Sequence, residues 1–143
     1  MVVKQASVLR LLDANTNRAL EGIRVCEEIV RFHLETPSAF RRIRALRHAI
    51  AAASRRLPVS PADLVRARAS SDDIGRRARS SSVDSLERLL LINFQRAKES
   101  LRTLEECARL IAPRRTASFQ QLRFRLYEVE RDVLLRVETL RHS

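Results

Sequence analysis

Residues 15–31 read NTNRALEGIRVCEEIVR and residues 93–109 read NFQRAKESLRTLEECAR, one pattern written twice with a displacement of 78 positions. Eight of the 17 aligned pairs are identical: Asn15/Asn93, Arg18/Arg96, Ala19/Ala97, Glu21/Glu99, Arg24/Arg102, Glu27/Glu105, Glu28/Glu106 and Arg31/Arg109. All but the alanine pair are polar or charged. The apolar positions have drifted instead, with Ile23 against Leu101, Cys26 against Leu104 and Val30 against Ala108. A duplication held only for packing would keep its apolar class and let its surface vary. This repeat therefore predicts a site as well as a scaffold.

Start and stop signals around the two copies divide the chain into helices. Ser7 is a candidate cap for a helix running through the first copy to Thr36-Pro37. Ser38 then opens a return helix, FRRIRALRHAIAAASRRL, which Pro58 stops. Ser60-Pro61 reads as the N-cap and first position of a short helical turn over ADLVRA. The Ser/Arg-rich residues 68–83 show no periodicity and read as a loop. Asp84-Ser85-Leu86-Glu87 has capping-box spacing with Asp84 as the cap, and opens a helix through the second copy to Pro113. Thr116 or Ser118 begins a last helix ending near Leu140.

Within each copy, Ala19, Ile23, Cys26 and Val30, and likewise Ala97, Leu101, Leu104 and Ala108, follow a 4-3-4 spacing that lays one apolar stripe along the helix. The return helices echo each other as well, Leu46-Arg47-His48-Ala49-Ile50 against Leu122-Arg123-Phe124-Arg125-Leu126. Neither hairpin can bury its stripe alone. The expected fold is all-α: a single domain over 1–143 in which two duplicated helical hairpins (7–57 and 84–142) form a four-helix bundle with a pseudo-twofold axis, joined by a linker over 58–83.

Composition supports a globular domain. The chain has 143 residues, 45% of them hydrophobic, enough for a real core. Two glycines, Gly22 and Gly75, argue against a turn-rich β fold and a glycine-lined phosphate loop. The net charge of +11 is carried almost wholly by arginine, which favours bidentate recognition of phosphate or carboxylate. No signal peptide or membrane-spanning run is legible, so a cytoplasmic protein is expected. Cys26 and Cys107 lack metal-site spacing and read as small core residues in a reducing compartment.

The chemistry-bearing residues form a ladder. Asn15, Arg18, Glu21, Arg24, Glu28 and Arg31 follow one another at intervals of three or four, so neighbours on adjoining turns can hold each other's side chains. On one isolated helix this would be a solvated series of weak ion pairs. Appearing twice at matching heights, it predicts a shared cleft. Arg18, Arg24, Arg96 and Arg102 are the candidate catalytic arginines, and Asn15, Asn93, Arg47 and Arg123 the candidate substrate ligands. Glu21, Glu28, Glu99 and Glu106 are the carboxylates that could hold Mg²⁺ beside a phosphate. Asp73, in Asp72-Asp73-Ile74-Gly75, adds a loop carboxylate able to reach a cleft. His48 is a lone helical histidine with no partner in the pattern.

At these motifs the chain resembles a known family. Asp13-Ala14-Asn15-x-Asn17-Arg18-Ala19-x-Glu21-Gly22-Ile23-Arg24-Val25-x-Glu27 is similar to the DANxNRAxEGLRVxE signature of a small helical domain of thiamine biosynthesis, found alone or fused in front of thiamine-phosphate synthase. Asn93 to Glu106 and Leu122-Arg123-Phe124-Arg125-Leu126-Tyr127 match further pieces in family order. The resemblance, to a monofunctional hydroxymethylpyrimidine phosphate kinase, implies ATP and Mg²⁺ as cofactors. It implies phosphorylation of 4-amino-5-hydroxymethyl-2-methylpyrimidine phosphate to the diphosphate, here by a stand-alone form. The chain departs from the pattern at Cys107, where a bulkier residue is expected, and at Arg76, which follows Asp73-Ile74-Gly75 in place of a small hydroxyl residue.

Two other classes stay open on the residues alone. A charge of +11 suits a nucleic-acid-binding bundle, although 4% aromatic content and glutamates between the arginines argue against one. A non-catalytic module binding a phosphorylated ligand would use the same fold. The expected partners are ATP and a pyrimidine monophosphate, with neither nucleic acid nor membrane, and a homodimer is compatible with an apolar stripe wider than one hairpin needs.

Overall fold

The computed structural model describes residues 5–78 and 80–141, with the side chains of 70, 140 and 141 outside the description. It is built from five α-helices: α1 (Gln5–Ile29), α2 (Pro37–Arg55), α3 (Pro61–Ala67), α4 (Leu86–Ile111) and α5 (Thr116–Arg141). No strand occurs among the described residues. The four long helices close a ring in which α1 packs on α2 and α4, and α5 on α2 and α4. Its most extensive interface is between the two motif-bearing helices, α1 and α4.

The stripes predicted from spacing form the centre of the bundle. Ala19, Ile23, Cys26, Val30, Ala97, Leu101, Leu104 and Ala108 are all 0% exposed, with Phe94, Phe119, Ile43, Leu46, Ile50 and Leu126 packed around them. Helices α1 and α4 run antiparallel: the Cys26 thiol lies 3.7 Å from the Leu90 carbonyl, and His33 Nε2 reaches Glu87 at 3.0 Å. Between these points Gly22 sits directly on α4. A Cβ there would stand 3.1 Å from the Asn93 carbonyl oxygen and 3.6 Å from the Ala97 Cβ. Glycine on one helix and alanine on the other let the two backbones approach this closely.

Several boundaries differ from the sequence expectation. Ser7 lies inside α1, which has already begun by Gln5, so it caps nothing. Helix α1 runs on into a π-helical turn, Val30–Leu34, and stops where Glu35 takes a left-handed conformation (φ 49°). The cap of α2 is Thr36, with Pro37 at the first turn, one step before Ser38; proline's fixed φ and missing N–H suit that place. Ser85, not Asp84, caps α4: its backbone is extended and its hydroxyl accepts the Arg88 N–H at 3.0 Å. Glu87 then pairs with His33 instead of closing a capping box. Ser60 and Pro61 cap and open α3 as expected.

The segment between the halves is more than a tether. Helix α3 packs on α1, and a 3₁₀ turn (Ser70–Asp72) follows it. Arg68 forms a two-pronged ion pair with Asp13, both bonds 2.8 Å, fastening the loop to α1. The connections within the halves also differ, a π-helical turn and Glu35 between α1 and α2 against a single 3₁₀ turn, Pro113–Arg115, between α4 and α5. Here the pseudo-symmetry breaks.

Candidate functional site

Where α1 and α4 cross, they leave a cleft of about 670 Å³. Its ten lining residues are five repeat-related pairs: Asn15/Asn93, Arg18/Arg96, Glu21/Glu99, Gly22/Ser100 and Val25/Thr103. The pseudo-twofold axis thus passes through the cleft, and each hairpin contributes the same set of one amide, one guanidinium and one carboxylate.

Asn15 and Asn93 are both 6% exposed, and each donates one amide N–H, at 2.8 Å, to the carbonyl four residues back, Leu11 and Leu89 respectively. That bond fixes the carboxamide and leaves its second N–H for a ligand. Arg18 and Arg96 are exposed and line the cleft, and among the described residues neither guanidinium has a hydrogen-bonding, ionic or ring partner. Glu21 makes no such contact either, while Glu99 accepts Gln95 Nε2 at 3.0 Å. Two unpaired guanidinium groups in one concavity form a site for anionic oxygens.

The other rungs of the ladder lie elsewhere. Arg24 pairs with Glu27 at 3.1 Å and Glu28 at 3.3 Å; Arg102 pairs with Glu105 and Glu106, both at 3.3 Å. Arg47 and Arg123, read as substrate ligands, reach back from α2 and α5 to the same buried carboxylates, Glu27 and Glu105. The reason is helix geometry. At 3.6 residues per turn, each step of three falls short of a full turn by about 60°, so the path from Asn15 through Arg18 and Glu21 to Arg24 winds roughly halfway round the helix. The ladder is a spiral whose first rungs face the cleft and whose last rungs pair along the outside of their own helix.

Of the four candidate metal carboxylates, Glu21 and Glu99 line the cleft and Glu28 and Glu106 are held in the outer ion pairs. No three acidic, histidine or cysteine side chains converge among the described residues. Mg²⁺ in phosphoryl-transfer sites takes one or two protein carboxylates and completes its shell with phosphates and water, and Glu21 and Glu99 fit that limited demand. His48 is exposed on α2, away from the cleft.

Two compartments adjoin the cleft, one on each side. The first, about 710 Å³, begins at Asn15 and Arg18 and is lined by Ser7, Arg10, Asp13, Asn17, Arg68 and Asp73 among others. The second, about 410 Å³, begins at Arg96 and is lined by Arg88, Leu91, Ile92, Gln95, Lys98 and Glu130. Five residues of one are repeat mates of five of the other: Arg10/Arg88, Asp13/Leu91, Ala14/Ile92, Asn17/Gln95 and Arg18/Arg96. Asp73, whose Oδ1 accepts the Gly75 N–H at 2.8 Å, is brought to the first compartment by the loop that Arg68 fastens. The hydrogen bonds from Arg68 hold the Asp13 carboxyl below its ordinary 3.8, against an opposing push from partial burial. In the second compartment Lys98 bonds Glu130 at 2.8 Å and lies over the Tyr127 ring.

Sequence reasoning missed Gly22, Val25, Ser100 and Thr103 as lining residues, and both side compartments. The scarcity of glycine marked Gly22, and the matched β-branched pair Val25/Thr103 was a fainter signal. Cys26 and Cys107 are free, buried thiols, as expected. Desolvation raises both pKa values above the ordinary thiol range, aided at Cys26 by the Glu130 charge and at Cys107 by Glu106, so they stay protonated and inert. No described helix is long and apolar enough to cross a membrane.

Fold and cleft together define a duplicated all-α bundle with a symmetric, arginine-lined cleft on its pseudo-twofold axis. Residues 10–132 match the ThiD2 family, and the chain belongs to it. Relatives named thiamine-phosphate synthase include those of Synechocystis sp. (38% identical over 92% of this chain and 38% of that protein), Gloeobacter violaceus (36%, over 90% and 37%) and Rhodopirellula baltica (33%, over 94% and 36%). The chain spans little more than a third of the length of these relatives. No solved structure is significantly similar.

Proposed function

We propose that the chain acts in thiamine biosynthesis by transferring the γ-phosphoryl group of ATP to 4-amino-5-hydroxymethyl-2-methylpyrimidine phosphate, forming the diphosphate. Family membership supports the pathway. The observation that carries the reaction is the repeated, unpaired Arg18 and Arg96 facing each other across one cleft. A kinase whose acceptor is itself a phosphate must hold two phosphoryl groups side by side, and a duplicated phosphate site is what such a reaction requires.

The acceptor oxygen belongs to a phosphate monoester whose second pKa is about 6, so it is already anionic at neutral pH. It attacks the γ-phosphorus, the bond from that phosphorus to the β,γ-bridging oxygen breaks, and ADP departs with the electron pair. No proton needs removing, which agrees with a cleft whose described lining includes no histidine. The barrier to overcome is electrostatic: two unit charges about 4 Å apart repel by roughly 4 kcal/mol at an effective dielectric near 20. Arg18 and Arg96 offset that repulsion and stabilise the charge spread over the transferring oxygens. Asn15 and Asn93 add neutral N–H donors. Mg²⁺, with Glu21 or Glu99 as its protein ligand, would supply further neutralisation of the phosphate charge.

The test is ATP consumption with the pyrimidine monophosphate and with the free alcohol in turn, at equal concentration with Mg²⁺. Turnover of the monophosphate with little on the alcohol is expected, because the alcohol lacks both the ionised nucleophile and the handle for arginine. Comparable rates on both would defeat the base-free mechanism. Tight, salt-sensitive DNA binding without turnover would favour a nucleic-acid-binding bundle instead.

A further inference from the structure

The two side compartments stand on the same repeat positions but carry different side chains at three of them. The first compartment is the larger, about 710 against 410 Å³. It is the more polar of the two, with the Asp13 and Asp73 carboxylates and the Asn17 carboxamide along it, and the Arg68-fastened loop forms its outer wall. In the second, Leu91 replaces Asp13, Ile92 replaces Ala14 and Gln95 replaces Asn17, and no loop wall is present.

We propose that the chain binds its two substrates end to end through the cleft, with the nucleoside of ATP in the compartment of Asp13, Asn17 and Asp73 and the pyrimidine ring in the compartment of Leu91, Ile92 and Gln95. This division rests on the phosphoryl-transfer reading above. Size separates the ligands first, since adenosine has nearly twice the heavy atoms of the substituted pyrimidine. Chemistry agrees. A ribose diol needs hydrogen-bond acceptors, which the two carboxylates supply. The smaller ring carries a methyl group that Leu91 and Ile92 can cover, and an amino group beside a ring nitrogen. A glutamine carboxamide complements that edge by accepting from the amine and donating to the nitrogen. Arg18 and Arg96, each lining both the cleft and one compartment, then hold the phosphates of donor and acceptor respectively.

The experiment compares Asn17→Ala and Asp73→Ala with Gln95→Ala and Ile92→Asp in the full chain, measuring the KM of each substrate. Calorimetry with a non-hydrolysable ATP analogue alone and with the pyrimidine monophosphate alone accompanies the kinetics. The first pair should raise KM for ATP by about tenfold and leave the pyrimidine KM within about twofold; the second pair should do the reverse. Gln95 is exposed, so Gln95→Ala keeps the pyrimidine side testable if Ile92→Asp fails to fold. Exchanged effects, or equal effects on both KM values, overturn the division while leaving phosphoryl transfer intact. A wild-type chain that binds neither ligand overturns the phosphoryl-transfer reading itself.

Discussion

The two hairpins bond alike at the cleft asparagines and unlike at the outer Arg–Glu clamp. In the cleft, the Asn15 and Asn93 amides make the same bond to the same repeat position at the same 2.8 Å. On the outer side, Arg47 grips Glu27 with Nε and Nη2 at 3.0 and 3.4 Å, whereas Arg123 reaches Glu105 with Nη2 alone, at 3.3 and 3.4 Å. The Arg123 Nε is buried without a partner. Packing alone would have constrained the outer clamp at least as much as the cleft, because a buried carboxylate is costly unless well paired. The halves keep the same residues in the clamp but not the same bonding, while the cleft asparagines keep both.

The clamp offers the sharpest way to break the comparison. Glu27→Ala leaves Arg47 half-buried without its carboxylate and should destabilise the fold by about 3–5 kcal/mol. Glu105→Ala should cost less, because the bond it removes is already longer and incomplete. Urea unfolding of the two variants measures both. Equal losses would mean the geometric difference has no energetic consequence.

Gly22 and Ser100 are repeat mates with different side chains, and Gly22→Ser makes the halves alike. The new Cβ would meet the Asn93 carbonyl oxygen at 3.1 Å, a backbone atom that cannot swing aside. Overpacking there should outweigh the gain in helix propensity of about 0.5 kcal/mol, giving a net loss of about 1 kcal/mol. Thermal melting checks the sign. A rise in Tm would show that α1 and α4 can separate at their crossing without penalty.

The smallest effect concerns the loop that only the first half owns. Asp13 has its folded pKa lowered by Arg68, so the pair stabilises the fold above the ordinary 3.8 of the carboxyl and loses that contribution as pH falls through the folded value. Asp13→Asn should flatten the acid limb of a stability-versus-pH curve and leave it unchanged near neutrality apart from a constant offset. The equivalent Leu91 carries no charge, so Leu91→Ala should alter no pH dependence.

The fold was largely legible because apolar spacing and proline stops are local signals: every residue of the two 4-3-4 stripes is fully buried. Helix caps were less so. Ser7 already lies inside α1, Thr36 stands at the start of α2 ahead of Ser38, and at α4 the extended Ser85 beside Asp84 is the residue whose hydroxyl caps. The cleft was half legible. Identity between repeats marked Asn15, Arg18 and Glu21 with their mates, but it equally marked Arg24 and Glu28, since identity does not say which way a helix turns. Arg47 and Arg123 required tertiary structure, because only packing of α2 on α1 and α5 on α4 shows that they serve buried glutamates.

The central claim is that the unpaired inner arginines act on phosphate while the outer arginines, occupied by glutamates of their own helices, do not. It is tested most directly by measuring phosphoryl transfer and melting temperature side by side for Arg18→Ala, Arg96→Ala, Arg24→Ala and Arg102→Ala. Loss of one charge-assisted bond to the transferring oxygens, at about 2–3 kcal/mol, should lower turnover by roughly 30- to 150-fold for Arg18→Ala and Arg96→Ala with little change in melting temperature. Arg24→Ala and Arg102→Ala remove only pairs made by exposed guanidinium groups within one helix, so they should change the melting temperature little and retain most of the specific activity. The opposite pattern, activity lost with the outer pair and kept with the inner one, would contradict the account.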